Sequence, residues 1–224
     1  MSPLPRHVPI AASFRGGHPE NVHFGSFAVV SAQGEVLASV GDIDFPVFTR
    51  SALKPLQAMP LVAGHADRYQ LTEPEIALLC ASHNGEDAHT QGVAALLARI
   101  GASESTLACG VHEPYHFRFL GGTPAPGSRF TPLHHNCSGK HSAMLLLAHA
   151  LGQPLPSYLA TGQAVQDAIA RSVSHFSGIA TERLVRGIDG CSAPNYALPL
   201  RALAQAFARL TLAEPDPAYG DAPQ

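Results

Sequence analysis

Lysine is nearly absent from this sequence. Its 14 lysine and arginine residues include only two lysines, Lys54 and Lys140. Arginine stays charged at any accessible pH, whereas a buried lysine can lose its proton and act as a base or a ligand. Both lysines lie in short clusters of reactive residues, within residues 50–54 and 136–141. We therefore expect both lysines at positions that arginine could not fill. The alternative is that two surface lysines have been retained by chance.

Charged residues and long apolar runs are also scarce. Only 14% of the residues are charged, the net charge is -3 and no basic run occurs, which argues against nucleic acid and anionic membranes as partners. The longest apolar run, around residues 144–147, is too short to span a membrane, and the first residues contain no apolar stretch of signal-peptide length. These absences predict a cytoplasmic protein. Its four cysteines would then be thiols or metal ligands rather than disulfides.

Turn-forming residues divide the chain into short apolar segments. The 224 residues include 20 glycines and 19 prolines, which indicates tight turns around a filled core. A β-hairpin is predicted at residues 27–30 and 36–40, followed by an extended segment and then mostly helices. The predicted helices cover residues 51–62, 72–82, 87–99, 138–152, 162–173 and 196–210, with a loop at 114–132. This order predicts one α+β domain, an α/β sandwich with an antiparallel sheet, over residues 1–224. Too few strands follow the hairpin to complete a large sheet.

The first chemistry-bearing motif is Ser-x-x-Lys, formed by Ser51 and Lys54 after the hairpin. Residues i and i+3 share one face of a helix, so the Ser51 hydroxyl and the Lys54 amine are expected within hydrogen-bonding reach. A neutral lysine can take the serine proton and make the hydroxyl a nucleophile. A helix N-terminus would stabilise the negative charge that develops. The alternative is a helix-capping serine beside a solvated lysine.

Three further clusters carry reactive side chains. Residues 82–86, Ser-His-Asn-Gly-Glu, end a predicted helix in a polar turn that either faces a cleft or only caps the helix. Residues 134–141 and 187–194 contain Cys137 and Cys191, with histidines and a carboxylate near them. Such a set is able to bind zinc, but its spacing matches no structural zinc module. The alternative is a pair of thiols that line a pocket or pack in the core.

These clusters, in this order, resemble the thermolabile, Rhizobium etli-type L-asparaginases of the asparaginase II family. One such motif would be weak, but five in sequence are specific. The matching strings are Arg50-Ser51-Ala52-Leu53-Lys54-Pro55, Ala81-Ser82-His83-Asn84-Gly85, Cys109-Gly110-Val111-His112-Glu113-Pro114, His135-Asn136-Cys137-Ser138-Gly139-Lys140-His141 and Asp189-Gly190-Cys191-Ser192-Ala193-Pro194.

The resemblance implies a fold similar to serine β-lactamases and serine-dependent glutaminases, a homodimer, and hydrolysis of L-asparagine to L-aspartate and ammonia. Carried onto this chain, it makes Ser51 the nucleophile, Lys54 its base and Ser82 a second serine that relays protons or holds the intermediate. Arg50 and His83 are candidates to bind the α-carboxylate of the substrate, Arg50 through a bidentate contact.

The resemblance also implies a zinc ion near the substrate, without an essential part in the chemistry. Its ligands would be Cys137, Lys140 and Cys191, with Asp189 adjacent to both metal and substrate. Asp189 is separately a candidate to bind the α-ammonium group. An amine ligand must be deprotonated, which would explain why arginine could not replace this lysine.

The chain departs from that family at one point. Family members extend well past residue 224 and carry a second active-site lysine there, whereas this sequence has no lysine after Lys140. We therefore expect a C-terminally truncated form, and an inactive zinc-binding fragment or paralogue is the alternative. A penicillin-recognising hydrolase would need a later Lys-Thr-Gly pattern, which neither lysine provides. A glutaminase differs by one methylene of substrate, worth about 1–3 kcal/mol in a pocket.

Overall fold

A computed structural model describes residues 4–223 as an α+β arrangement of helices and three small antiparallel sheets. The strands are β1 (Val8–Arg15), β2 (His18–Gly25), β3 (Phe27–Val30), β4 (Val36–Val40), β5 (Pro46–Phe48), β6 (Val185–Ile188) and β7 (Pro194–Pro199). The third sheet has the order β5–β7–β6, so its central strand is the last of these along the chain.

The predicted hairpin is confirmed as β3 and β4, which pair from Phe27↔Val40 to Val30↔Val36. A second hairpin, β1–β2, was not predicted from the sequence. Its strands are exposed along almost their whole length, so they lack the alternation of apolar and polar residues by which a half-buried strand is recognised. Its turn is formed by Gly16 and Gly17, which both have a positive φ, as tight hairpin turns require.

Five predicted helices are confirmed; four agree within a few residues at each end, whereas the first continues to Tyr69, beyond its predicted end at residue 62. They are α1 (Lys54–Tyr69), α2 (Glu73–Cys80), α3 (Asp87–Ala98), α5 (Ser138–Ala150) and α6 (Ala164–Ser177). The predicted capping box of α2 is formed between Thr72 and Glu75. No helix in residues 4–223 is both long and apolar enough to traverse a bilayer.

Three sequence predictions need correction. The last helix does not start at Tyr196, because Pro194–Pro199 pairs with strands on both sides as β7 and α7 (Leu200–Leu210) begins only after Pro199. The predicted loop at 114–132 contains a short helix, α4 (Tyr115–Leu120). The helix with the Ser-x-x-Lys motif begins at Lys54, preceded by a 3₁₀ turn at Arg50–Leu53.

Helix α5 lies in the middle of the core, and every residue from Ser138 to Ala148 is buried. It crosses the C-terminal part of α2 so closely that a Cβ on Gly139 would lie 2.2 Å from the carbonyl oxygen of Leu78. Two non-bonded atoms cannot lie that close, so any side chain at position 139 would clash with Leu78. Only glycine therefore allows the two helices to approach in this way. The close crossing brings the end of α2, with Ser82, next to the start of α5, with Lys140.

Candidate active site

A pocket of about 270 Å³ collects residues from four of the five sequence strings. They come from the 3₁₀ turn before α1, the loop before α4, the turn before α5 and the turn between β6 and β7. The lining residues are Arg50, Ser51, His112, Tyr115, His135, Asn136, Cys137, Asp189, Gly190 and Cys191. A larger depression of about 420 Å³ elsewhere contains none of the predicted site residues.

Ser51 lies in this pocket with an exposed side chain. The direct hydrogen bond predicted between Ser51 and Lys54 is not formed among the described residues. The backbone N–H of Lys54 donates to the Ser51 carbonyl, but the lysine side chain extends to the end of α2. The physical reason is that a buried amine requires polar partners, and they lie there rather than beside Ser51.

Lys54 is only 1% exposed and has three oxygen neighbours around its amine. The Nζ atom donates to the carbonyl oxygens of Ala81 at 2.6 Å and Asn136 at 3.2 Å, and it lies 2.8 Å from Ser82 Oγ. Burial lowers the pKa of Lys54, the neighbouring Cys137 partly opposes this, and the positive charge of Lys140 adds a smaller lowering effect. The structure therefore joins Lys54 directly to Ser82.

His83 lies behind this turn rather than in the pocket. Its ring is 3% exposed, its Nδ1 accepts a hydrogen bond from the Gly85 N–H at 3.1 Å, and its Nε2 faces Ser138 Oγ at 2.8 Å. Burial lowers the pKa of His83 to about 3, with the ring of His89 stacked against it. A neutral ring with both nitrogens engaged cannot anchor a carboxylate, so the substrate contact predicted for His83 has no geometric support.

Arg50 and Asp189 form an ion pair in the lining of the pocket. Arg50 Nε lies 2.8 Å from Asp189 Oδ1, and the arginine side chain is 69% exposed while the carboxylate is 7% exposed. Asn195, which the motif strings do not include, holds both residues: its Nδ2 donates to the Arg50 carbonyl at 3.0 Å and to Asp189 Oδ2 at 3.3 Å. Arg50 has a positive φ of 50°, and this network offsets the strain.

One wall of the pocket is a stack of rings. His112 lies 4.7 Å from the Tyr115 ring and 4.3 Å from the His135 ring, measured between centroids. His112 Nδ1 donates to the Glu113 carbonyl at 2.6 Å, so its Nε2 accepts from the Asn136 N–H at 3.1 Å. Burial lowers the pKa of His135 to about 4, which leaves that ring neutral. The wall is thus built of packed aromatic rings.

The two buried cysteines of the pocket lie together with Lys140. The Lys140 amine donates to Cys191 Sγ at 2.9 Å, and both residues are at most 3% exposed. A hydrogen bond from the Cys137 thiol lowers the pKa of Cys191, with further contributions from His141 and Lys140, and the same bond together with burial raises the pKa of Cys137. All three predicted zinc ligands therefore interact with one another.

The chemistry of this donor set fits zinc. Thiolates and nitrogen donors are the ligands that zinc prefers, and catalytic zinc sites use three protein ligands. Within residues 4–223 no three histidine, cysteine, aspartate or glutamate side chains converge as a metal site, so the lysine is needed to complete the set. Two such ligands on one zinc lie about 3.5 Å apart, so Lys140 and Cys191 would have to separate slightly to bind it.

Several residues of the site were not assigned roles from the sequence. Asn136, His112 and His135 lie inside the strings that carry the resemblance, while Tyr115 and Asn195 each follow the last residue of such a string. Adjacency to a motif was the available signal. Nothing in the residue types alone indicates that an asparagine after Pro194 would hold Arg50, because that contact joins residues 145 positions apart.

The comparison with known families agrees with this geometry. Residues 11–223 match the sequence profile of the family described as L-asparaginase II. No curated protein matches the chain at a significant level. The family match spans nearly the whole chain, and the chain therefore belongs to the L-asparaginase II family.

Proposed function

We propose that this protein hydrolyses the side-chain amide of L-asparagine to L-aspartate and ammonia through an acyl-enzyme on Ser51. The observation that carries the proposal is the composition of one pocket: an exposed serine hydroxyl lies with a guanidinium and a carboxylate, the groups that suit an amino acid substrate. A buried lysine of lowered pKa, which can serve as a base, follows Ser51 by three residues.

The hydrogen bonds of Lys54 support its role as a base. Two N–H groups are committed to the carbonyl oxygens of Ala81 and Asn136, because carbonyls only accept. In the neutral amine the remaining tetrahedral position holds the lone pair, and Ser82 Oγ lies there. Ser82 then donates its proton to Lys54 and is free to accept another.

We infer that Ser82 relays the proton from Ser51 to Lys54. As Ser51 Oγ forms its bond to the amide carbon, its proton passes to Ser82 Oγ and the Ser82 proton passes to Lys54. The protonated lysine returns a proton to the leaving nitrogen, the C–N bond breaks and ammonia leaves. Water then attacks the ester by the same route, which releases L-aspartate and restores Ser51.

Arg50 and Asp189 are proposed to hold the two charged groups of the substrate. The Arg50 Nε is engaged by Asp189, which leaves its terminal N–H groups for a bidentate contact with the α-carboxylate. Asp189 has lone pairs left beyond its contacts with Arg50, Gly190 and Asn195, and it is proposed to accept from the α-ammonium group.

Zinc is proposed as a bound ion held by Cys137, Lys140 and Cys191, without an essential part in the chemistry. When bound, the ion would supply Lewis acidity beside the pocket. The residues of the chain do the rest: Lys54 moves protons, Arg50 and Asp189 orient the substrate, and the ring wall of His112 and His135 limits water.

We further propose that the protein is of the Rhizobium etli type, with a fold similar to serine β-lactamases and glutaminases, and that it acts as a cytoplasmic homodimer. Support comes from the five sequence strings and from the convergence of four of them in one pocket, with the fifth joined through the contact between Lys54 and Ser82. Size-exclusion chromatography with light scattering tests the dimer.

Ammonia release from asparagine and from glutamine tests the activity. The wild type, Ser51→Ala, Ser82→Ala and the exposed control Ser105→Ala should be compared at matched concentration, with acid-quenched samples analysed by peptide mass spectrometry. We expect an aspartyl adduct on Ser51 of the wild type. Turnover should be lost in both active-site variants and unchanged in the Ser105→Ala control. Full activity of Ser51→Ala, or an adduct on Ser82, would show that the nucleophile is misassigned. Nitrocefin hydrolysis without ammonia release would favour a penicillin-recognising enzyme.

A further inference from the structure

A buried histidine beside the cysteine pair has no role in the proposed reaction. His141 is 0% exposed, and it follows Lys140 in the first turn of α5. Its Nε2 is a buried atom that has no hydrogen-bond partner of normal geometry among the described residues. A buried polar atom without a partner is costly, so its presence in a native structure calls for a specific explanation.

The other ring nitrogen of His141 determines where its proton lies. Nδ1 is 2.6 Å from the hydroxyl of Tyr158, which is itself buried. That hydroxyl already accepts a hydrogen bond from the Ala108 N–H at 2.9 Å, so its own proton is available for Nδ1. With Nδ1 as an acceptor, a neutral His141 carries its proton on Nε2.

His141 and Cys191 interact electrostatically, and Cys191 also receives the hydrogen bond of Lys140. Because Nδ1 of His141 faces Tyr158, Nε2 is the ring nitrogen left for the sulfur of Cys191. Tyr158 is held from behind, because its carbonyl accepts from the buried Gln166 Nε2 at 2.9 Å. The chain Ala108–Tyr158–His141–Cys191 thus runs from a fixed backbone to the sulfur.

We propose that Tyr158 and His141 are positioning residues for Cys191: the tyrosine fixes the Nε2-protonated form of the histidine, and its N–H supports the sulfur as a metal ligand. This rests on the proposed zinc site. Groups that hydrogen-bond to a metal ligand orient that ligand, and loss of such a group costs about 10–100-fold in metal affinity.

Two measurements test the positioning of Cys191 by Tyr158 and His141, and the first needs no metal. Nitrogen-15 spectra of histidine-labelled, chelator-treated protein distinguish the protonated from the unprotonated ring nitrogen, and the His141 signals are assigned by their absence in His141→Gln. We expect protonation at Nε2 in the wild type and a mixture of both forms in Tyr158→Phe. Protonation at Nδ1 in the wild type would overturn the proposal.

The second measurement is the zinc dissociation constant from chelator competition. His141→Leu should raise it about 10–100-fold. His141→Gln should retain most of the affinity, because its amide oxygen can accept from Tyr158 while its N–H faces Cys191. If His141→Leu fails to fold, Tyr158→Phe provides the test, with a smaller loss expected. Unchanged affinity in all three variants would contradict this positioning of Cys191.

The chain offers a matched control in Tyr69, whose hydroxyl lies 2.7 Å from His149 Nδ1 in a second tyrosine–histidine pair. Tyr69→Phe should change neither the His141 form nor zinc affinity, and an equal effect would mean that the loss reflects general destabilisation. A wild type that binds no zinc, with Cys191→Ala as the reference, would refute the zinc site itself. The nitrogen-15 spectra alone would then test whether Tyr158 fixes the Nε2-protonated form of His141.

Discussion

The two lysines of this chain are almost equally buried, yet one amine is surrounded by oxygen atoms and the other faces sulfur. Lys54 contacts two carbonyls and a serine hydroxyl, whereas Lys140 donates to Cys191. Each follows a potential nucleophile by three residues, Ser51 and Cys137. Spacing alone therefore does not set the surroundings of a lysine: the oxygen acceptors around Lys54 suit the proposed proton transfer, and the thiols beside Lys140 suit the proposed metal ligand.

Replacement of each lysine by methionine tests whether Lys54 and Lys140 have different roles. Lys54→Met removes the proposed base, and we expect kcat for ammonia release to fall by about 10²–10⁴-fold. Lys140→Met should lose zinc while retaining much more activity, since the metal is proposed to be dispensable. Circular dichroism checks that both variants fold. Equal losses in the two variants would remove the distinction between base and ligand.

The crossing of α2 and α5 holds the two lysine environments together, and Gly139 makes it possible. Gly139→Ala would place a Cβ 2.2 Å from the Leu78 carbonyl oxygen, so we expect a loss of unfolding free energy of about 1–3 kcal/mol and reduced activity. Urea unfolding measures it. The control is Gly64→Ala in α1, where a Cβ meets nothing within 4 Å and should add about 0.5–1 kcal/mol. Equal stability of the two variants would mean that the crossing is looser than described.

We propose that substrate binding depends on the paired N–H groups of the Arg50 guanidinium rather than on its positive charge alone. Arg50→Lys keeps the charge but loses the paired N–H groups, and we expect KM to rise about 10–100-fold with a smaller change in kcat. Steady-state kinetics measure this, with the exposed Arg129→Lys as the control. A kcat effect without a KM effect would move Arg50 from substrate binding to the chemistry.

Acid should lower the free energy of unfolding, because two buried histidines near Lys54, His83 and His135, resist protonation in the folded state. Burial lowers the pKa of His83 to about 3 and that of His135 to about 4, whereas an unfolded histidine titrates near 6.5. The unfolded state therefore binds more protons below pH 6.5, so stability is complete above that pH and falls as the pH drops. The loss is at most about 1.4 kcal/mol per histidine and pH unit.

Urea unfolding between pH 7 and 5 measures this slope. His83→Gln should reduce it, because the titrating ring is removed, and the exposed His18→Gln should leave it unchanged. A stability that stays constant down to pH 5 would mean that these rings are more hydrated than their burial indicates.

The parts of the site that the sequence predicted are those coded locally. The α2 capping box and the Ser-x-x-Lys and Cys-x-x-Lys spacings are properties of neighbouring residues, and so they were recognisable. The contacts that decide roles join distant positions: Lys54 bonds Ser82 rather than Ser51, and Asn195 reaches back to Arg50. No local pattern carries such information. The helix predicted from Tyr196 overlaps the central strand β7, because one of the two strands that pair with β7, β5, lies far back in the chain.

A titration of the two lysines tests the central claim most directly. With carbon-13 lysine, the spectrum of this chain should contain two ε-CH₂ signals, which Lys140→Arg assigns. We expect the Lys54 signal to titrate below the ordinary pKa of 10.5, because burial disfavours the charged amine. A Lys54 amine that stays protonated up to or beyond that value could not take a proton from a serine, and the mechanism would be wrong.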